Sequence, residues 1–130
     1  LARPSLNGLL LAGSLLGAQA ALGGLVDVLL VEIRASSEPG QFDIQVQVRH
    51  ADSGWDHYAN RWEVLAPDGS LLATRVLAHP HVRQQPFTRG LKRVRIPAGA
   101  TWVRVRAHDL VHGYGGREVT LSVPPSTPRR

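Results

Sequence analysis

The chain has 130 residues, enough for one compact domain, and 43% of them are hydrophobic, which supplies a real core. With no cysteine and no methionine, a disulfide framework, a thiolate zinc site, a thiolate nucleophile and thioether copper(I) handling are excluded, and any bound metal must take nitrogen and oxygen donors. The formal charge of +5 is mostly arginine interspersed with acids such as Asp43, Asp52, Asp56 and Glu63, so nucleic acid is not an indicated partner.

The chain starts at Leu1 rather than methionine, which reads as a non-standard start codon or a fragment. Residues 8–26 carry no charge, Arg3 lies just before them, and Ala18-Gln19-Ala20 follows the apolar run of residues 9–16 as a small-x-small cleavage site. This pattern predicts a signal peptide over residues 1–20, a periplasmic or secreted mature protein and no stable membrane span after cleavage. The lack of cysteine argues against a lipid-modified lipoprotein.

Beyond the signal the sequence turns to period-two patterns broken by turn residues, the mark of an all-β domain. Strands are predicted over residues 27–34, 42–50, 61–66, 71–78, 91–96, 101–109 and 117–123. The clearest sets Phe42, Ile44, Val46 and Val48 on one face against Asp43, Gln45, Gln47 and Arg49 on the other. Pro67-Asp68-Gly69 closes one hairpin and Pro97-Ala98-Gly99 makes another turn. Arg93, Arg95, Arg104 and Arg106 alternate with apolar partners, as on the solvent face of a strand. The expected fold is an immunoglobulin-like seven-stranded antiparallel β-sandwich over residues 21–124, with a flexible polar tail over 125–130.

In that topology the second-to-third, fourth-to-fifth and sixth-to-seventh connections share one pole. Here they are residues 51–60, 79–90 and 110–116, which hold or adjoin all six histidines: His50, His57, His79, His81, His108 and His112. His79 and His81 flank Pro80, so extended backbone would point both imidazoles to one side. A tight turn separates Asp109 from His112, and Gly113, Gly115 and Gly116 follow, which lets the backbone curl near a bound atom. Convergence of these pairs predicts a metal site drawn from His50, His57, His79, His81, Asp109 and His112. Asp52 and Asp56 are candidates to accept the free ring N–H of a ligating imidazole, and His108 stands beside the site. Arg83 and Arg89 are placed to attract an anionic substrate.

The segment His50-Ala51-Asp52-Ser53-Gly54-Trp55-Asp56-His57-Tyr58, followed by Trp62-Glu63-Val64-Leu65 and Asp68-Gly69, resembles the two-histidine segment of desulfoferrodoxin and superoxide reductase iron domains. Those domains carry a His, a short acidic loop, a His-Tyr, a Trp-Ile-Glu-Leu strand and an Asp-Gly turn. His108-Asp109-Leu110-Val111-His112-Gly113 is similar to their Tyr-Cys-Asn-Leu-His-Gly. The resemblance spans residues 50–113 with a poorly matched middle. It implies an immunoglobulin-like domain holding a mononuclear iron on four equatorial histidines and an axial thiolate, with superoxide as the small oxidant reduced. Carried over, His50, His57 and His112 match ligands, while Asp109 stands where the thiolate should be. A carboxylate is a harder donor that changes the redox potential. The His50–His57 loop is one residue longer than the family's, and no histidine precedes His50, which leaves His79 or His81 to supply the missing nitrogen.

His79-Pro80 and Gln85-Pro86-Phe87-Thr88-Arg89 also show a fainter similarity to the sulfur-carrier partner subunit of the thiosulfate-oxidation system, which implies a periplasmic protein partner. The leading expectation is a mononuclear transition-metal domain, with iron first and copper or zinc as alternatives, and oxidoreductase activity of superoxide reductase type. The alternatives are a zinc or copper binder without turnover, and a partner-binding module that uses Trp55, Tyr58, Phe87 and Tyr114. A hydrolase is poorly supported, because Ser53 and Ser70 lack any nucleophile motif.

Overall fold

The computed structural model describes residues 24–129; the expected signal peptide lies outside the described residues. Seven strands follow one another: β1 (Asp27–Ala35), β2 (Gln41–Arg49), β3 (Ala59–Leu65), β4 (Leu71–Val76), β5 (Phe87–Arg95), β6 (Trp102–Asp109) and β7 (Val119–Ser122). They form a three-stranded sheet ordered β1-β2-β5 and a four-stranded sheet ordered β4-β3-β6-β7, with every pairing antiparallel. The chain is therefore an all-β sandwich.

Alternation builds the core. Phe42, Ile44, Val46 and Val48 of β2 are all buried and face Trp62, Val64, Val103, Val105 and Ala107 of the other sheet. Strand β3, central between β4 and β6, is buried from Trp62 to Leu65: Trp62 and Val64 face the core, and Glu63 on the other face is bonded by Arg61 and Arg106. The arginines at 93, 95, 104 and 106 stay on the outer faces, as their spacing predicts.

Three local differences from the sequence pattern have physical causes. Strand β5 starts at Phe87 instead of residue 91, because Phe87 pairs with Val48 and carries Thr88 and Arg89 into the ladder. Within β5, Arg93 adopts a left-handed φ of 57°, and its N–H donates to the Asp43 carboxylate across the strand irregularity. The expected flexible tail is tied down at its start: Ser126 Oγ accepts from the Gly40 N–H and Thr127 Oγ1 donates to the Ser36 carbonyl.

The register fixes which chain ends meet. Asp27 pairs with Arg49, Phe87 with Val48, and Ala59 with Asp109. The start of β1, the β2–β3 loop, the β4–β5 loop and the β6–β7 loop therefore gather at one pole, as the sequence predicts, and the histidines gather with them.

Candidate metal centre

Three strand ends from two sheets supply the centre. His50 follows the last residue of β2 and is buried. His57 sits two residues before β3, in a tight loop where its N–H donates to the Gly54 carbonyl and its own carbonyl accepts from Ser53. Asp109 ends β6, opposite Ala59. The side chains of His50 and Asp109 are 0% exposed and that of His57 is 21% exposed. His50 Nε2 lies 3.6 Å from Asp109 Oδ2 and His57 Nε2 3.5 Å from Asp109 Oδ1. One donor atom from each of the three residues falls within 4.8 Å of the others.

The hydrogen bonds around the centre decide what these atoms can do. Asp52 is buried and accepts three of them: at Oδ1 from the His50 Nδ1–H (2.5 Å) and the Ala59 N–H (3.0 Å), and at Oδ2 from the His81 N–H (2.7 Å). Burial alone would raise its carboxyl, but the His50 ring and the His81 and Ala59 amides outweigh burial and hold it below the usual carboxylate range. An ionised Asp52 can only accept, so His50 carries its proton on Nδ1 and turns a bare Nε2 lone pair inward. That lone pair faces Asp109 Oδ2, which is also an acceptor. Asp109 Oδ1 is already committed to the Val111 and His112 N–H groups at 2.7 and 2.6 Å, in a turn that Gly113 completes with a left-handed φ of 74°.

Among the buried side-chain atoms without a hydrogen-bond partner, His50 Nε2, His57 Nε2 and Asp109 Oδ2 belong to this one three-residue group. Buried polar atoms in folded proteins are ordinarily paired. The separations, 3.6 Å from His50 Nε2 to Asp109 Oδ2 and 3.5 Å from His57 Nε2 to Asp109 Oδ1, are long for hydrogen bonds, and one donor atom from each residue lies within 4.8 Å of the others. The buried His50-His57-Asp109 group can hold a metal ion.

The other expected site residues take different places. His112 is at the rim: its ring packs 5.0 Å from that of His57, its Nδ1 lies 3.4 Å from Asp109 Oδ1, and its side chain is 41% exposed. His79 and His81 do point to one side, but they stack on each other at 4.5 Å and do not join the group. His81 is drawn away by stacking on Phe87 at 3.8 Å and by Arg89, whose guanidinium donates to His81 Nε2 at 2.9 Å. Burial, with Arg89 and His79 beside it, holds His81 below its ordinary pKa. His108 turns to the opposite face of β6 from Asp109, where its Nδ1 pairs with Asn60 Oδ1 at 2.6 Å and its edge meets Tyr114. Asp56 is exposed and bonds none of the histidines, whereas Asp52 does, as expected. Arg89 is occupied by His81, and Arg83 is exposed in the same loop.

Gln85 is a participant that the sequence does not advertise. Its Oε1 accepts from the His50 N–H and its Nε2 donates to the His81 carbonyl, so it pins the β4–β5 loop against the centre. No local motif marks it. Tyr114 likewise ties down the loop after Asp109: its hydroxyl accepts from Arg61 Nη2 at 2.8 Å, and the Arg106 guanidinium lies 3.8 Å above its ring.

No protein-family profile matches the chain. It is 36% identical over 101 residues to a protein of Halomicrobium mukohataei named "Putative lipoprotein", an alignment covering 77% of this chain and 49% of that protein. The chain thus spans about half the length of this relative. Among solved structures it is similar to a hypothetical protein from Pyrococcus horikoshii OT3, with a TM-score of 0.45 and 13% identity over 75% of this chain and 90% of that one.

Proposed function

We propose that this pole is a mononuclear transition-metal centre, with His50 Nε2, His57 Nε2 and an Asp109 oxygen as inner donors and His112 as the donor at the rim. One observation carries the reading: His50 Nε2, turned inward by the Asp52 hydrogen bond, faces Asp109 Oδ2 at 3.6 Å, and neither atom has a hydrogen-bond partner in the protein. Two acceptors buried face to face repel unless a proton or a metal ion lies between them.

Two imidazoles and one carboxylate form the donor set of non-haem iron(II) centres that keep open positions, and the resemblance of residues 50–113 to desulfoferrodoxin domains favours iron. The reaction that fits is the one-electron reduction of superoxide, which takes up two protons to give hydrogen peroxide, with the electron resupplied by an external reductant. The ion would supply the electron. The chain's own residues hold His50 in the donor tautomer, orient Asp109 through the Val111 and His112 N–H groups and leave access at the His112 rim. The uncharged stretch before residue 24 and the name of the Halomicrobium relative both support a location outside the cytoplasm.

The test is elemental analysis of untagged protein after loading with iron(II), copper(II) or zinc and removal of loose metal. One equivalent of iron, lost in His50→Ala and reduced in His112→Ala, with superoxide consumed by the loaded protein, is the expected result. Retained zinc or copper without superoxide consumption refutes the redox reading and leaves a metal-binding protein; no retained metal refutes both.

A further inference from the structure

Five of the nine large apolar side chains exposed among the described residues lie in the connecting segments of the metal pole. Among the described residues, Leu25 before β1, Trp55 in the β2–β3 loop, Val82 in the β4–β5 loop and Leu110 and Val111 in the β6–β7 loop are all exposed, Trp55 by 65% and Val111 by 59%. Four separate segments of chain thus each bring an apolar side chain to the same end. The other exposed large hydrophobics, Leu30, Leu71, Val76 and Trp102, lie on strands.

The way the chain enters the domain says what covers this end. In the sequence, Gly23 and Gly24 join the uncharged stretch of residues 8–22 to Leu25. Gly24 lies beside the His112 ring, so close that a Cβ there would stand 3.2 Å from it. Leu25 in turn lies near Gly115 of the β6–β7 loop. An apolar stretch inserted in a bilayer would therefore leave only two or three residues, roughly 10 Å of extended chain, between the lipid and this pole. Exposed Arg83 and Arg117 lie in the same connections as the apolar loop tips and suit anionic headgroups, with Asp56 and the Arg104-paired Glu118 as exposed acids there.

We propose that this pole docks on a lipid bilayer, with Leu25, Trp55, Val82, Leu110 and Val111 entering the interface. Tryptophan at a loop tip suits that position, since its ring is apolar and its N–H reaches water or headgroups. The proposal does not depend on the metal reading and is tested on metal-free protein.

The three tryptophans make the test selective: Trp62 is buried in the core, Trp102 opens β6 at the opposite end, and Trp55 is at the pole. Full-length Trp102→Phe protein is mixed with vesicles of phosphatidylethanolamine and phosphatidylglycerol, with or without brominated acyl chains. Co-sedimentation with quenching of Trp55 emission is expected, and Trp55→Ser with Val111→Ser should weaken vesicle partition by about tenfold or more. Co-sedimentation without quenching would mean that residues 1–23 anchor the chain with the pole turned away, and would overturn the proposal. So would a lack of vesicle association, unchanged partition of the double variant, or shielding of Trp55 from acrylamide before lipid is added.

Discussion

Replacing Asp52 with asparagine keeps the shape of the side chain and removes its charge, which isolates the part it plays in orienting His50. The carboxylate accepts three hydrogen bonds, from His50, Ala59 and His81. An amide in its place has one oxygen. If that oxygen takes the Oδ1 position, His50 and Ala59 are kept and the amide NH2 meets the His81 N–H, donor against donor; if it flips, two partners are lost instead of one. At least one buried N–H is left unpaired, which costs about 1–3 kcal/mol. For a domain of this size each kcal/mol lowers Tm by roughly 4–8 °C, so a fall of about 10 °C is expected without metal. The metal effect is separate. An amide oxygen at the Oδ1 position still accepts from the His50 Nδ1–H but carries no charge, so His50 Nε2 becomes a weaker donor, which should weaken metal affinity about 10- to 100-fold, or roughly 1.4–2.8 kcal/mol. Chelator competition reads the affinity and thermal melts with and without metal read the stability. A lower Tm with metal affinity within twofold of wild type would refute the claim that Asp52 sets the donor state of His50.

Two further predictions concern the frame around the centre. Gly116→Ala should be strongly destabilising, by about 2 kcal/mol or more, because the added Cβ would fall 1.8 Å from the Val26 carbonyl oxygen and backbone would have to move; urea unfolding checks this, and near-wild-type stability would show that the β6–β7 loop shifts freely. Glu63→Gln should cost about 1–3 kcal/mol at neutral pH. Burial raises the Glu63 carboxyl, but hydrogen bonds from Tyr114, Arg106 and Arg61 outweigh it and hold it below its ordinary value. A carboxyl lowered on folding stabilises above its unfolded pKa and loses that contribution as pH falls through the folded value, so the gap between wild type and variant should close on acidification below about pH 4. A gap independent of pH, measured by unfolding across that range, would rule out the charge as its source.

The fold was largely legible in the chain, because a strand with one buried face must alternate. Phe42, Ile44, Val46 and Val48 show that alternation, and all four are buried. The Pro67-Asp68-Gly69 turn was legible for the same local reason: Gly69 takes the left-handed φ of 88° and Asp68 accepts from the Ser70 N–H. Composition alone limited any metal to nitrogen and oxygen donors. What the sequence could not decide was which histidines share a centre, since that depends on register between strands distant in the chain. Pairing of Ala59 with Asp109 brings His57 beside the end of β6, and alternation along β6 turns Asp109 inward and His108 outward. The spacing of His79 and His81 placed their rings on one side, but Phe87 and Arg89, which arrive from the next strand, compete for His81. Gln85 gives no local signal, because its two hydrogen bonds exist only once the β4–β5 loop lies against His50. Periodicity is a property of neighbours along the chain, and the sequence determines it; the meeting of His50, His57 and Asp109 is a property of two sheets closing on each other, and only the tertiary structure decides it.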